Sequence, residues 1–127
     1  MAEIHMTERM LIISETDERG IITFANEDFV RMSGYSYPEL IGKPHNILRH
    51  PDMPSSAFGD LWKTVKNNQI WNGFVCNRCK NGDYYWVYAT VAALKASDGS
   101  RHYLSIRRRP TREEVEYYSA LYKTMKE

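Results

Sequence analysis

The sequence predicts an α+β fold, a five-stranded antiparallel sheet with short helices packed on one face. Three observations predict it. Two β-branched runs flank a turn near the N-terminus, a proline-rich middle leads into one segment with helical spacing, and three strand-like runs close the sheet across Asn-Gly and Asp-Gly turns. At 127 residues, 43% hydrophobic and 13% aromatic, the chain is one domain with apolar material for a core.

Met10 to Thr16 reads as the first strand and Ile21 to Phe24 as the second, joined by Asp17-Glu18-Arg19-Gly20. Asn26 is placed to cap a short helix. Glu27 and Asp28 lie in its first turn, Phe29, Val30 and Met32 are its apolar members, and Gly34 is its stop. Pro38, Gly42, Pro44, Pro51 and Pro54 then forbid a long helix, so turns and loops are expected. Helical spacing returns over Ser55 to Asn67, where Phe58, Leu61, Trp62 and Val65 share one face.

Ile70 to Arg78, Tyr84 to Leu94 and His102 to Arg108 read as the last three strands, separated by Lys80-Asn81-Gly82-Asp83 and Ser97-Asp98-Gly99-Ser100. Thr111 to Glu127 reads as a helix with a capping box at Thr111 and Glu114 and a stripe of Val115, Tyr118, Leu121, Tyr122 and Met125. That stripe covers either its own domain or a partner. The chain therefore divides into a tail or cap over 1–9, a sensor-sized unit over 10–109 and an amphipathic helix over 110–127.

Composition also excludes. Seventeen Lys+Arg against sixteen Asp+Glu leave a formal charge of +1, too little for a nucleic-acid or anionic-membrane partner held by charge. No apolar run approaches the roughly 20 residues that span a bilayer, so no direct membrane insertion is expected. Cys76 and Cys79 form a lone CxxC without the further ligands a zinc site needs, and reduced thiols in a cytoplasmic protein are the simpler reading. No triad, paired carboxylates or nucleotide-binding glycine fingerprint argues for an enzyme.

The motifs narrow the fold further. Ile21-Ile22-Thr23-Phe24-Ala25-Asn26 with Phe29, then Ser33-Gly34-Tyr35 and Pro38-Glu39-Leu40-Ile41-Gly42, resemble the N-terminal half of PAS domains. His45-Asn46-Ile47-Leu48-Arg49-His50-Pro51-Asp52-Met53-Pro54, with Phe58, Trp62, Trp71-Asn72-Gly73, Asn77-Arg78, Lys80-Asn81-Gly82 and Tyr85-Trp86-Val87, resembles the flavin-binding PAS domain of Aer-type aerotaxis receptors.

That resemblance implies a PAS fold over residues 10–109 and non-covalent FAD. It implies a cytoplasmic sensor of redox state or oxygen-linked electron flow that reports to a chemoreceptor or other signalling domain, and a homodimer. The matching positions implied for the cofactor are Asn26, His45, Arg49, His50, Asp52, Phe58 and Asn77. The chemistry agrees. Trp62, Trp71 and Phe58 offer walls for a flat ring, Asn77 an amide for its polar edge, and Arg49 and His50 donors for a pyrophosphate. A LOV-type photoadduct is not expected, because His45 stands near the position of the reactive cysteine. Cofactor-free interaction module, haem-binding PAS domain through His45 or His50, and small flavoenzyme remain as alternatives.

Overall fold

A computed structural model describes residues 1–125. Five strands, β1 (Ile12–Thr16), β2 (Ile22–Ala25), β3 (Trp71–Arg78), β4 (Tyr84–Lys95) and β5 (Arg101–Arg108), form one antiparallel sheet in the order β2-β1-β5-β4-β3. The fold is the α+β arrangement expected. The C-terminal strand β5 lies in the centre, between β1 and β4, so the ends of the chain meet in the sheet while its middle crosses the inner face.

That middle holds three helices and a tight turn. The helix α1 (Glu27–Ser33) starts at Asn26, whose side chain accepts from the Phe29 amide, and stops at Gly34 with φ 77°. There glycine supplies the left-handed conformation that ends the helix without steric cost. The short helix α2 (Tyr37–Leu40) carries a capping box between Ser36 and Glu39. A 3-10 turn over His45–Leu48 follows, then α3 (Ser55–Lys66). The turn is fastened to the first hairpin, because the His45 amide donates to the Gly20 carbonyl (3.0 Å) and the Ile22 amide to that of Lys43 (2.9 Å).

Paired residues across antiparallel strands point to the same face. Ile12, Ser14 and Thr16 of β1, Tyr103, Ser105 and Arg107 of β5, Tyr85 to Val91 at alternate positions of β4, and Val75 and Asn77 of β3 thus face the helices. Phe74, Trp86 and Tyr88 face the other way.

The helix α4 (Arg112–Met125) covers that outer face. Tyr118 stacks on Phe74 with ring centroids 4.3 Å apart, and the Tyr122 hydroxyl donates to the Phe74 carbonyl (2.7 Å). Of the two occupants left open for its stripe, the sheet of its own chain takes most of it, although Met125 stays 40% exposed. The expected helix extended to Glu127, and its last two positions lie outside the described residues. Along the tail, Met6 is buried in the core, the Ile4 amide donates to the Tyr84 carbonyl (2.8 Å), and Glu3 pairs with Arg112 (2.8 Å). This segment caps the seam between β4 and α4. No helix among the described residues is long and apolar enough to cross a membrane.

Candidate functional site

Small residues on the inner face leave space over the sheet. Ala89 on β4 lies beside Arg107 on β5, and Ser105 beside Val91, where larger side chains would meet the helices. The result is a half-enclosed cavity of about 590 Å³, inside the range of small-molecule and cofactor sites. Val75, Asn77, Ala89, Val91, Tyr103, Ser105 and Arg107 make its floor. Phe58, Leu61 and Trp62 of α3, His45 of the 3-10 turn and Arg49 just after it make its walls, and Glu18, Arg19, Gly20 and Lys66 its rim.

The walls are apolar and fixed. Trp62 meets Tyr103 edge-on with centroids 5.2 Å apart, and Arg49 lies over the Phe58 ring at 4.2 Å. Gly20, at φ 83°, brings the hairpin turn against the Trp62 indole, which would lie 3.6 Å from a Cβ placed there.

The polar groups in this interior are donors short of acceptors. Asn77 is 4% exposed and its Nδ2 has no hydrogen-bond partner; Arg107, 2% exposed, has none for its Nε. The Tyr85 hydroxyl lies beside the Asn77 amide on the paired strand without reaching it at full hydrogen-bond geometry, and burial pushes it up to about 12. Arg107 donates through one terminal nitrogen to the Ser14 hydroxyl and through the other to His45 Nε2 (3.3 Å). Burial, with the Arg107 charge adding to it, pushes His45 down to about 3, so its ring is neutral near neutrality and Nε2 is free to accept. Orphaned buried donors each cost about 1–3 kcal/mol, which a ligand with acceptors on its edge would recover. Of the charged residues lining the cavity, Arg19, Arg49, Lys66 and Arg107 are cations and Glu18 the one acid. A flat, partly apolar ligand with an acceptor-rich edge inside and an anionic group outside matches this surface.

Of the residues singled out from the sequence, His45, Arg49, Phe58, Trp62 and Asn77 line the cavity. The other four do not. Asn26 uses its side chain to accept from the Ile13 and Phe29 amides and to donate to the Leu11 carbonyl, tying α1 to β1. Trp71 folds over Gly73 and donates its indole N–H to Asp60 (2.9 Å). His50 accepts from the Asp52 amide at Nδ1 and packs edge-on against Tyr84, with Asp52 nearby, behind the loop. They brace the site from outside its walls.

Sequence reasoning missed Arg107, Ser105, Ala89 and the rim cations Arg19 and Lys66. The signal for the first three was small and polar residues at inward positions of central strands, where β-branched residues usually stand. Reading it requires the strand order. His102 is half-buried against Glu15 (2.5 Å) on the outer face. No group of three or more His, Cys, Asp or Glu that could hold a metal occurs among the described residues. Cys76 and Cys79 line no part of the cavity, and burial pushes their thiols up to about 12 and about 11.

Comparison with known proteins identifies the fold. The family model described as the PAS fold matches residues 22–106. The aerotaxis receptor of Escherichia coli K12 is 47% identical over 114 residues, 90% of this chain and 22% of that protein. The nitrogen fixation regulatory protein of Klebsiella pneumoniae is 32% identical over 97 residues, 76% of this chain and 20% of that protein. The chain thus spans about a fifth of the length of these curated relatives. Among solved structures, a light-oxygen-voltage domain studied with a flavin analogue superposes with TM-score 0.75 at 19% identity, covering 92% of this chain and 90% of that one. A PAS domain from Colwellia psychrerythraea superposes with TM-score 0.70 at 25% identity, covering 80% and 86%.

Proposed function

The chain belongs to the PAS fold family, and on that premise we propose that it is a sensor domain holding FAD non-covalently in the cavity over its sheet. It reports redox state or oxygen-linked electron flow to a signalling partner of the chemotaxis type. The observation that carries the reading is a half-enclosed cavity of about 590 Å³ whose floor includes Asn77 and Arg107, each with a buried side-chain nitrogen (Nδ2 and Nε) that has no hydrogen-bond partner. The pyrimidine side of an isoalloxazine offers carbonyl and ring-nitrogen acceptors to such donors. Trp62, Leu61 and Phe58 supply the apolar wall for its flat face. Arg49 in the wall and Lys66 and Arg19 at the rim suit the pyrophosphate that distinguishes FAD from riboflavin. The strong identity to an aerotaxis receptor over nearly the whole chain supports the signalling half of the proposal.

A bound flavin supplies electron exchange. The residues of this chain would hold it, shield one face from water and answer changes in its charge through Asn77 on β3 and Arg107 on β5. Signalling requires that the oxidised and reduced forms favour different protein conformations. A cytoplasmic setting and a homodimer belong to the same proposal.

Two rivals fit less well. An empty interaction module requires an interior closed by its own side chains. Haem ligation through His45 would place iron against Nε2, where Ser14 and the Arg107 cation already sit. The single acid lining the cavity, with no second carboxylate to pair with it, favours a sensor over a catalyst.

The test is titration of the flavin-stripped protein with FAD, FMN and riboflavin, followed by flavin fluorescence. FAD is expected to bind at least ~10-fold more tightly than riboflavin, with an affinity that falls as salt rises. Absence of saturable binding by any of the three would overturn the reading. Amide exchange of the oxidised and dithionite-reduced forms tests the relay, and identical profiles would remove it.

A further inference from the structure

Arg107 is a guanidinium inside the protein without a counter-ion. It lines the cavity floor at 2% exposure, and no carboxylate among the described residues lies within ion-pair distance of it. Its neighbours come from four elements, and all are neutral. Ser14 of β1 accepts from it, His45 of the 3-10 turn accepts at 3.3 Å, and the face of Phe29 from α1 lies 4.5 Å from its central carbon. Tyr85 of β4 is the fourth, and burial keeps its phenol protonated and the His45 ring unprotonated.

A buried cation is tolerated when a partner neutralises it. The Phe29 ring and the Ser14 hydroxyl relieve part of the cost here, but they leave the charge whole and the Nε unpaired. A purely structural tie between β5 and β1 needs no charge at all, since a neutral amide could reach Ser14.

We propose that Arg107 is the counter-charge of the cavity, built into its floor so that the site prefers a ligand bearing negative charge on the atoms that face β5. The inference rests on the flavin reading and deepens it. For a flavin held with its N1 and C2 carbonyl edge toward β5, Arg107 would favour negative charge on that edge, whose electronics a nearby charge tunes. The cation–π contact with Phe29 and the hydrogen bonds to Ser14 and His45 hold the guanidinium in place for that role.

The experiment uses the full chain stripped of flavin and reconstituted with 8-mercapto-FAD. The thiolate charge of that analogue rests either on sulfur or on the pyrimidine edge, and the second form absorbs at longer wavelength. The wild-type complex is expected to show the long-wavelength form. Arg107→Gln is expected to bind the analogue with the ratio of long- to short-wavelength form reduced about tenfold, the equivalent of one pKa unit. Arg107→Lys, which keeps the charge, is expected to retain most of the wild-type spectrum.

A wild-type complex coloured like the free analogue overturns the proposal and leaves the flavin reading standing. Failure of the wild-type protein to bind the analogue or FAD overturns both. An unchanged spectrum in Arg107→Gln also overturns it. If Arg107→Gln does not fold, as circular dichroism of the apo-protein reports, the wild-type and Arg107→Lys spectra decide the matter: both shifted supports the counter-charge, and a wild-type shift lost in a folded Arg107→Lys overturns it.

Discussion

Asn26 and Asn77 are both buried or half-buried asparagines, and their surroundings give them opposite duties. Asn26 has its amide and carbonyl fully engaged with β1 and α1, whereas Asn77 leaves Nδ2 without a partner at the cavity floor. Asn77→Leu should therefore leave the melting temperature of the apo-protein unchanged or raise it, since an orphaned donor worth about 1–3 kcal/mol disappears. Flavin affinity in the same variant should fall at least ~10-fold, the factor that about 1.4 kcal/mol of lost hydrogen bonding corresponds to. Asn26→Ala should behave the other way. Loss of the cap is expected to cost about 1–2 kcal/mol in denaturant melts, with flavin affinity of the folded fraction within about twofold of wild type. A large drop in that affinity without a stability change would place Asn26 in the binding surface after all.

At the scale of elements, Gly73 sets the edge strand. A Cβ there would lie 2.3 Å from the Trp71 ring, which folds back across it to reach Asp60 on α3. Gly73→Ala should displace the indole, at a cost of about 1–3 kcal/mol, and change the near-ultraviolet circular dichroism. Unaltered stability and spectrum would show that the ring has other room. On the opposite face, Tyr122→Phe removes the hydrogen bond that fastens α4 to β3. About 1 kcal/mol of stability and much of the amide-exchange protection of α4 should go with it, while flavin affinity stays put. If protection of α4 persists, ring stacking on Phe74 and Trp86 is the fastening that counts.

The whole molecule should feel the neutral His45 through pH. Its folded pKa, about 3, lies below the ordinary value of 6.5, so between these limits the unfolded chain binds more protons than the folded one. Stability then rises with pH across that window and falls as pH drops through 6.5, by at most about 1.4 kcal/mol per unit. Glu39, held down to about 2 by Lys80, adds a loss only below its ordinary value of 4.5, which leaves pH 4.5–6.5 to His45. Urea melts over that interval should slope less in His45→Gln than in wild type. Equal slopes would mean that His45 takes up a proton in the folded protein with little penalty.

Local chemistry alone determined the elements of this protein. Asn26 and Gly34 bound α1 because capping and left-handed conformations belong to the residue, and the turns at Asn81-Gly82 and Asp98-Gly99 fixed the C-terminal meander because hairpin geometry is local. The aromatic and cationic wall was legible for the same reason, since Phe58 and Trp62 share a face of one helix. Tertiary structure decided what depends on strands far apart in the chain. Only the docking of β5 between β1 and β4 puts Arg107 against Ser14 and beside Ala89, which opens the space and places an unneutralised cation in it. It also kept His50 and Trp71 off the cavity lining, because a loop and the end of an edge strand leave no signature of what they will pack against until the sheet and α3 are assembled.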